Sequence, residues 1–204
     1  MFAISFIAKL KNASIALALL SSLAAAPAYA SGLDPMLLEM AASGNSQAQL
    51  TVGRAYFLGE GVKQNLQVGF RWLIRSARQG NPMAQFYVGN AYSFGEGVAK
   101  NDVKAAHWYL SAAQNGIAEA QYNLGLCYAD GTGIARDSTK AIEWYRESAA
   151  QDFPSAQNNL GLMYETGEGV GRDLSLAKTF YRDACSGGFG MACRNFARLQ
   201  KAGI

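Results

Sequence analysis

Small and apolar residues return along the chain at helical spacing, in alternating pairs of stretches. In the first stretch Ala48, Val52, Gly53 and Tyr56 fall on one stripe, the pattern of an amphipathic helix. A polar segment with Gly59 and Gly61 follows, and then a second apolar stretch holding Gly69, Trp72 and Ala77. The whole alternation repeats at a step of 36 residues. That step links Ala-Gln at 48–49, 84–85, 120–121 and 156–157, the glycines 53, 89, 125 and 161, and the tyrosines 56, 92, 128 and 164. It also links Trp72, Trp108 and Trp144, with Phe180 in the fourth place. Columns that persist without insertion define four tandem repeats, each predicted to be a pair of helices.

The repeated glycine at 53 lies inside the first helix, where Gly costs about 1 kcal/mol against Ala, so it is expected to let a neighbouring helix approach closely. Asn65, Asn101, Asp137 and Asp173 are expected N-caps of the second helices. Gly80, Gly116 and Gly188 are expected to close helices in the left-handed conformation, with Asp152 in the third place. The tryptophan column is expected to be core. The Gly-x-Gly pairs starting at 59, 95, 131 and 167 suggest a phosphate cradle only weakly, because no strand precedes them and no Lys-Ser/Thr follows. Ending one helix and turning toward the next is the better reading.

The pattern A-Q-x-x-[VL]-G-x-x-Y-x-x-G-x-G-[VI], followed by A-x-x-W-[YL], resembles that of the Sel1-like repeat (SLR) family, a tetratricopeptide relative. Gly69 stands where Ala is usual, and Phe180 where Trp is usual. The resemblance implies an all-α fold, a right-handed α/α superhelical solenoid of tandem helix-turn-helix repeats. On this reading the repeats occupy 44–79, 80–115, 116–151 and 152–187, together spanning 44–187. An N-terminal capping helix occupies 31–43, with Asp34 as N-cap and Pro35 at the first helical position, and a C-terminal one occupies 188–204.

Two of the three cysteines, Cys185 and Cys193, flank the last predicted helix–helix corner. The step of 36 sets Cys185 in the column of Ala113 and Ala149, and Cys193 in that of Gln121 and Gln157. A metal site would want further ligands, and the single His107 is two repeats away; a redox motif would want C-x-x-C. A secreted, cysteine-rich SLR subfamily bridges cysteines at this gap, and the resemblance implies a Cys185–Cys193 disulfide. Cys127 shares an apolar column with Ala55, Ala91 and Met163, so a buried free thiol is expected.

Composition adds the address. Lys9 and Lys11 precede an apolar, serine-broken run that ends in Ala28-Tyr29-Ala30, the form of a signal peptide over 1–30, cleaved after Ala30. Residue 31 is Ser, which offers no thiol for a lipid anchor, and no later segment has the length of a membrane span. Without the leader the balance is 16 basic against 15 acidic residues, no footprint for nucleic acid. A periplasmic or secreted protein is expected.

No catalytic constellation is present: His107 shares a variable polar column with Arg71, Glu143 and Thr179, and the carboxylates fall at no recognisable spacing. Members of the cysteine-rich subfamily are described as penicillin binders or weak β-lactamases, yet no S-x-x-K occurs here. Neither cofactor nor metal is expected. Resemblance to tetratricopeptide repeats places a binding groove on the first helices, lined by Thr51, Arg54, Phe86, Tyr87, Asn90, Tyr122, Asn123, Asn158 and Asn159. Leu50, Leu126 and Leu162 share their columns. Amides can bond an extended peptide's backbone, and Phe86, Tyr87 and Tyr122 would be anchors. The expected function is a non-catalytic scaffold for a protein or peptide partner, in envelope signalling, assembly or host contact, with a monomer favoured. Two alternatives are a cell-wall protein binding peptidoglycan fragments or β-lactams, and a secreted host-directed factor.

Overall fold

The structure is a computed structural model and describes residues 32–204; the expected signal peptide and its cleavage point lie outside the described residues. Ten helices and no strands occur among the described residues. They form the expected all-α solenoid of helix-turn-helix repeats. The described residues divide into two compact units, the first ending at Asn101 and the second running from Asp102 to Ile204. The first holds α1 (Pro35–Ala42), α2 (Ser46–Leu58), α3 (Leu66–Arg78) and α4 (Pro82–Phe94). The second holds α5 (Asp102–Gln114), α6 (Ala118–Asp130), α7 (Ser138–Ala149), α8 (Pro154–Thr166), α9 (Leu174–Ser186) and α10 (Gly190–Lys201).

Local chemistry explains the boundaries. Asn65, Asp137 and Asp173 each accept the N–H three residues on, at 2.9–3.0 Å, as N-caps should. Asp34 caps α1 through the Met36 N–H, with Pro35 behind it. First helices α2, α4, α6 and α8 end on a left-handed glycine, such as Gly59 with φ 74°, whose N–H returns to the carbonyl four residues back. The second glycine of the three later pairs, Gly97, Gly133 and Gly169, has another use. A Cβ on Gly169 would lie 2.7 Å from Ser138 Cβ, so the loop can rest on the start of α7 only without one. The loop is a turn, as its sequence suggested. Asp152 takes φ 57°, in the column where Gly80, Gly116 and Gly188 take 81–88°; aspartate tolerates that region better than most residues.

The helix pairs lock through sockets. A Cβ on Gly125 would lie 2.5 Å from the Tyr145 ring, one on Gly161 2.6 Å from the Tyr181 ring, and one on Gly53 2.8 Å from Leu73 Cγ. The glycine column is therefore the seat into which Leu73, Tyr145 and Tyr181 drop. One expectation is corrected here. The tryptophans 72, 108 and 144 and Phe180 are only half-buried; the next residue in each helix, Leu73, Tyr109, Tyr145 or Tyr181, is the one the core encloses. Adjacent residues on a helix point about 100° apart, so only one of the two can enter the socket.

Gly69 departs from Ala for a visible reason. Its absent Cβ would lie 2.6 Å from Phe57 Cδ2 and 2.9 Å from the Gly53 carbonyl oxygen. Phe57 is 1% exposed, and the same column holds Ala129 and Glu165 in later repeats. The large side chain fills what Ala fills elsewhere. Gly69→Ala, a change toward the usual residue, should lower stability by about 1–2 kcal/mol, clash outweighing helix propensity, as chemical denaturation would measure.

The glutamines of three of the four Ala-Gln pairs do structural work that the sequence did not disclose. Gln49, Gln85 and Gln121 are buried, and their Nε2 groups donate to the carbonyls of Ala41, Ala77 and Ala113, each eight residues back, at 3.0, 3.4 and 3.2 Å. Gln79 and Gln151 in turn donate to Gln49 and Gln121 at 2.7 and 2.8 Å. The buried hydroxyls of Ser76 and Ser148 donate to Ser46 and Ala118 carbonyls at 2.8 Å. The glutamine bonds add a second donor to last-turn carbonyls that already accept from the Gly44, Gly80 and Gly116 N–H groups, and the serine bonds tie α3 and α7 to the first residues of α2 and α6.

The disulfide sits in the same place. Cys185 and Cys193 are bonded, with Cα atoms 4.6 Å apart and a sequence separation of 8. Where Gln49, Gln85 and Gln121 join these two columns by a hydrogen bond, Cys185 and Cys193 join them covalently.

Candidate functional site

The expected groove residues fall in both units. In the first, Thr51 is exposed on α2, its hydroxyl turned back to the Gln47 carbonyl at 3.0 Å. Arg54 is half-buried, its guanidinium 5.7 Å from the centre of the Tyr87 ring, a cation–π contact. On α4 the Phe86 and Tyr87 rings lie 5.6 Å apart at 8% and 7% exposure, and Asn90 is 2% exposed. Phe86 and Tyr87 do not protrude as anchors, and Asn90 is enclosed with them. They are part of the packed interior beneath the face, and Tyr87 supports Arg54.

In the second unit the structure brings Tyr122, Asn158 and Asn159 together. Tyr122 is half-buried, its ring 5.3 Å from Phe153 and 5.9 Å from Tyr145. Burial raises its phenol above the usual range, Asn159 opposes through a hydrogen bond, and the Asp130 charge adds to the rise. Asn159 also bonds the Tyr145 side chain, which burial likewise raises. One amide thus ties the face to the socket below. Asn158 is buried, its Oδ1 accepting from Asn195 at 3.4 Å and its Nδ2 facing Asn159 Oδ1 at 3.5 Å. Asn123 is half-buried and holds a contact of its own.

One contributor was missing from the expected set. Asn195 continues the column of Asn123 and Asn159 by one more step of 36, but it lies in the segment read as a cap. Leu162 is 50% exposed and, with half-buried Leu126, gives this face an apolar stripe. Nearby, the Glu165 carboxylate accepts from Arg198 at 2.7 Å and Tyr181 at 2.8 Å. Those bonds, Arg198's foremost, hold Glu165 below the usual carboxylate range.

Cys127 is buried, and burial first, then the Asp102 and Asp130 carboxylates, pushes its thiol up to about 11. A thiol held protonated at neutral pH is a poor nucleophile. Native alkylation of Cys127 at pH 8 should run about a hundredfold slower than that of a free thiol of pKa about 8.5, and denaturation should remove the difference. His107 is exposed. Among the described residues no group of His, Cys, Asp or Glu is placed to hold a metal, and no helix is long and apolar enough to cross a membrane.

Helix pairs in tandem, locked through glycine seats, define the class of helical repeat proteins. The family model of the Sel1 repeat matches residues 46–81, 82–117, 118–153 and 154–189, and the chain belongs to that family. Sel1 repeats generally bind proteins.

Among solved structures, one similar chain is a protective antigen of uropathogenic Escherichia coli strains displaying an SLR fold, with a TM-score of 0.81 and 33% identity. The match covers 85% of this chain but only 37% of the antigen, so this chain spans little over a third of that protein's length. A Sel1 repeat protein from Oxalobacter formigenes is similar at a TM-score of 0.75 and 33% identity, over 80% of this chain and 67% of that one. Cysteine-rich protein B of Helicobacter pylori shares the fold at a TM-score of 0.52 and 18% identity, over 63% of this chain and 96% of that one. No curated protein matches the chain.

Proposed function

We propose that this protein is a non-catalytic scaffold, exported from the cytoplasm, that binds a segment of a protein partner along α6 and α8, first helices of its second unit. Helices α1 and α10 serve as the end caps of the array. The observation that carries the reading is the contrast on α6 and α8. Their core columns are closed, whereas Asn123, Asn159, Leu126 and Leu162 sit half-open or open in two adjacent columns. Such a pairing suits a peptide: amides for its backbone, leucines for its apolar side chains. Export is supported by the leader pattern of 1–30 and by the Cys185–Cys193 bond, which fits an oxidising compartment.

The test is an in-cell crosslinking pull-down that compares the wild type with Asn123→Ala, Asn159→Ala. Tyr87 is left intact, because its truncation would open the interior. A protein recovered by the wild type and lost by the folded variant is the expected result. Recovery by both would put the binding face elsewhere. Recovery by neither, with binding to isolated cell-wall sacculi, would favour the cell-wall reading.

A further inference from the structure

Helix α1 is, by its columns, a second helix without its first. The step of 36 sets Leu37 in the column of Leu73, Tyr109, Tyr145 and Tyr181, and Met40 in that of Ser76, Ala112, Ser148 and Ala184. Those last four residues are each 0% exposed, yet Met40 is 43% exposed. Leu37 is only half-buried where the rest of its column is enclosed. In complete repeats the cover is a first helix: Ser76 reaches Ser46, and Ser148 reaches Ala118, the first residues of α2 and α6. Helix α10 is the converse, a first helix by column that no second helix follows among the described residues. Its seat lies open. Gly190, in the column of Ser46 and Ala118, has nothing within 4 Å of where a Cβ would stand. Ala197, in the glycine column, and Lys201, in the column of Phe57, are exposed.

We propose that α10 of one copy docks on α1 of a second copy, completing a repeat across two chains and joining them head to tail. The contacts transpose those of the first repeat, where Ser76 meets Ser46, Leu73 sits on Gly53 and Phe57 lies against Gly69. Met40 then covers Gly190, Leu37 sits on Ala197, and Leu33 lies under the apolar stem of Lys201. Sizes trade across the joint, since the large Met40 meets the smallest residue. A Cβ on Gly53 would lie 2.8 Å from Leu73 Cγ, so Leu37 must stand off Ala197 by about an ångström. Two separate chains can take that distance. Charge agrees: α1 has Glu39, with Asp34 at its cap, and no base, whereas α10 has Arg194, Arg198 and Lys201 and no acid. Arg198 is held by Glu165 of α8, which leaves Arg194 and Lys201, and Lys63, lining a cavity with Gly32, opposes in part. The chain's own leader is the poorer cover. It sets Leu17 in the glycine column and Leu20 in the tyrosine column, where α10 keeps the small Ala197. A contact between unlike patches leaves one end of each dimer free, so it grows rather than closes.

Sedimentation velocity of the exported, purified protein, from about 10 µM to about 1 mM, follows the association. Wild type should pass from monomer to dimer and longer species. Met36→Lys with Met40→Lys, at exposed side chains, should abolish this, and so should Ala197→Tyr, which fills the seat. Ala197→Gly removes the stand-off and should tighten association about fivefold, a gain that misfolding cannot mimic. The two blocked variants, each a monomer alone, should form a dimer and nothing longer when mixed, because one offers only α10 and the other only α1. A wild type that stays monomeric throughout overturns the inference. So do a mixture without dimer, an Ala197→Gly variant no tighter than wild type, and dimers of Ala197→Tyr alone, which would pair α1 with α1.

Discussion

Tyr145→Ala should lower the stability of the chain by about 3–5 kcal/mol, and Trp144→Ala, one residue earlier and larger, by clearly less. Tyr145 is 2% exposed and drops into the seat left by Gly125, whose Cβ would lie 2.5 Å from its ring. No small neighbour can collapse into that space, because the seat is backbone. Trp144 is half-buried and leaves mostly solvent behind. Tyr145→Phe is the control: it keeps the ring and removes only the hydroxyl that Asn159 bonds, at a cost of about 0.5–1.5 kcal/mol. Urea denaturation of the three variants checks the order. If Trp144→Ala costs as much as Tyr145→Ala, the socket account of the helix pairs is wrong.

Replacing both Cys185 and Cys193 by Ala should cost about 2–3 kcal/mol. The bond closes a loop of separation 8 and ties α9 to the terminal helix α10. The equivalence with the glutamine columns gives a sharper expectation. Cys185→Ala with Cys193→Gln rebuilds the pair found as Ala113 and Gln121, whose amide and carbonyl bond at 3.2 Å. That variant should recover about 0.5–1.5 kcal/mol over the double alanine. Denaturation midpoints and hydrogen exchange of residues 190–201 are the readouts. Equal stability of the two variants would mean that the glutamine bond does not transfer to the last repeat.

Much of this fold was legible because the repeat supplies four independent readings of each position. The interior glycine column could only mean close approach, and Gly53, Gly125 and Gly161 are seats. The caps followed from side-chain chemistry at a single site, and so did Asp152 as the one strained substitute. What repetition cannot tell is which of two neighbouring apolar columns turns inward. The tryptophans drew attention by size, yet Leu73, Tyr145 and Tyr181 take the interior. The same limit touched the binding face, where Phe86 and Tyr87 are adjacent on one helix and both are buried. Long-range partners were also hidden. The glutamine bonds cross a helix–helix corner, and the reach of Asn195 to Asn158 crosses a boundary that the repeat frame had drawn at residue 187.

The measurement that bears most directly on the scaffold reading is site-specific photo-crosslinking in the cell. Benzoylphenylalanine would replace Leu162, which is 50% exposed on α8, and in a second strain Glu143, exposed on α7. The account expects a discrete protein adduct from position 162 and none from position 143. The same adduct from both positions, or an adduct from 143 alone, would contradict it.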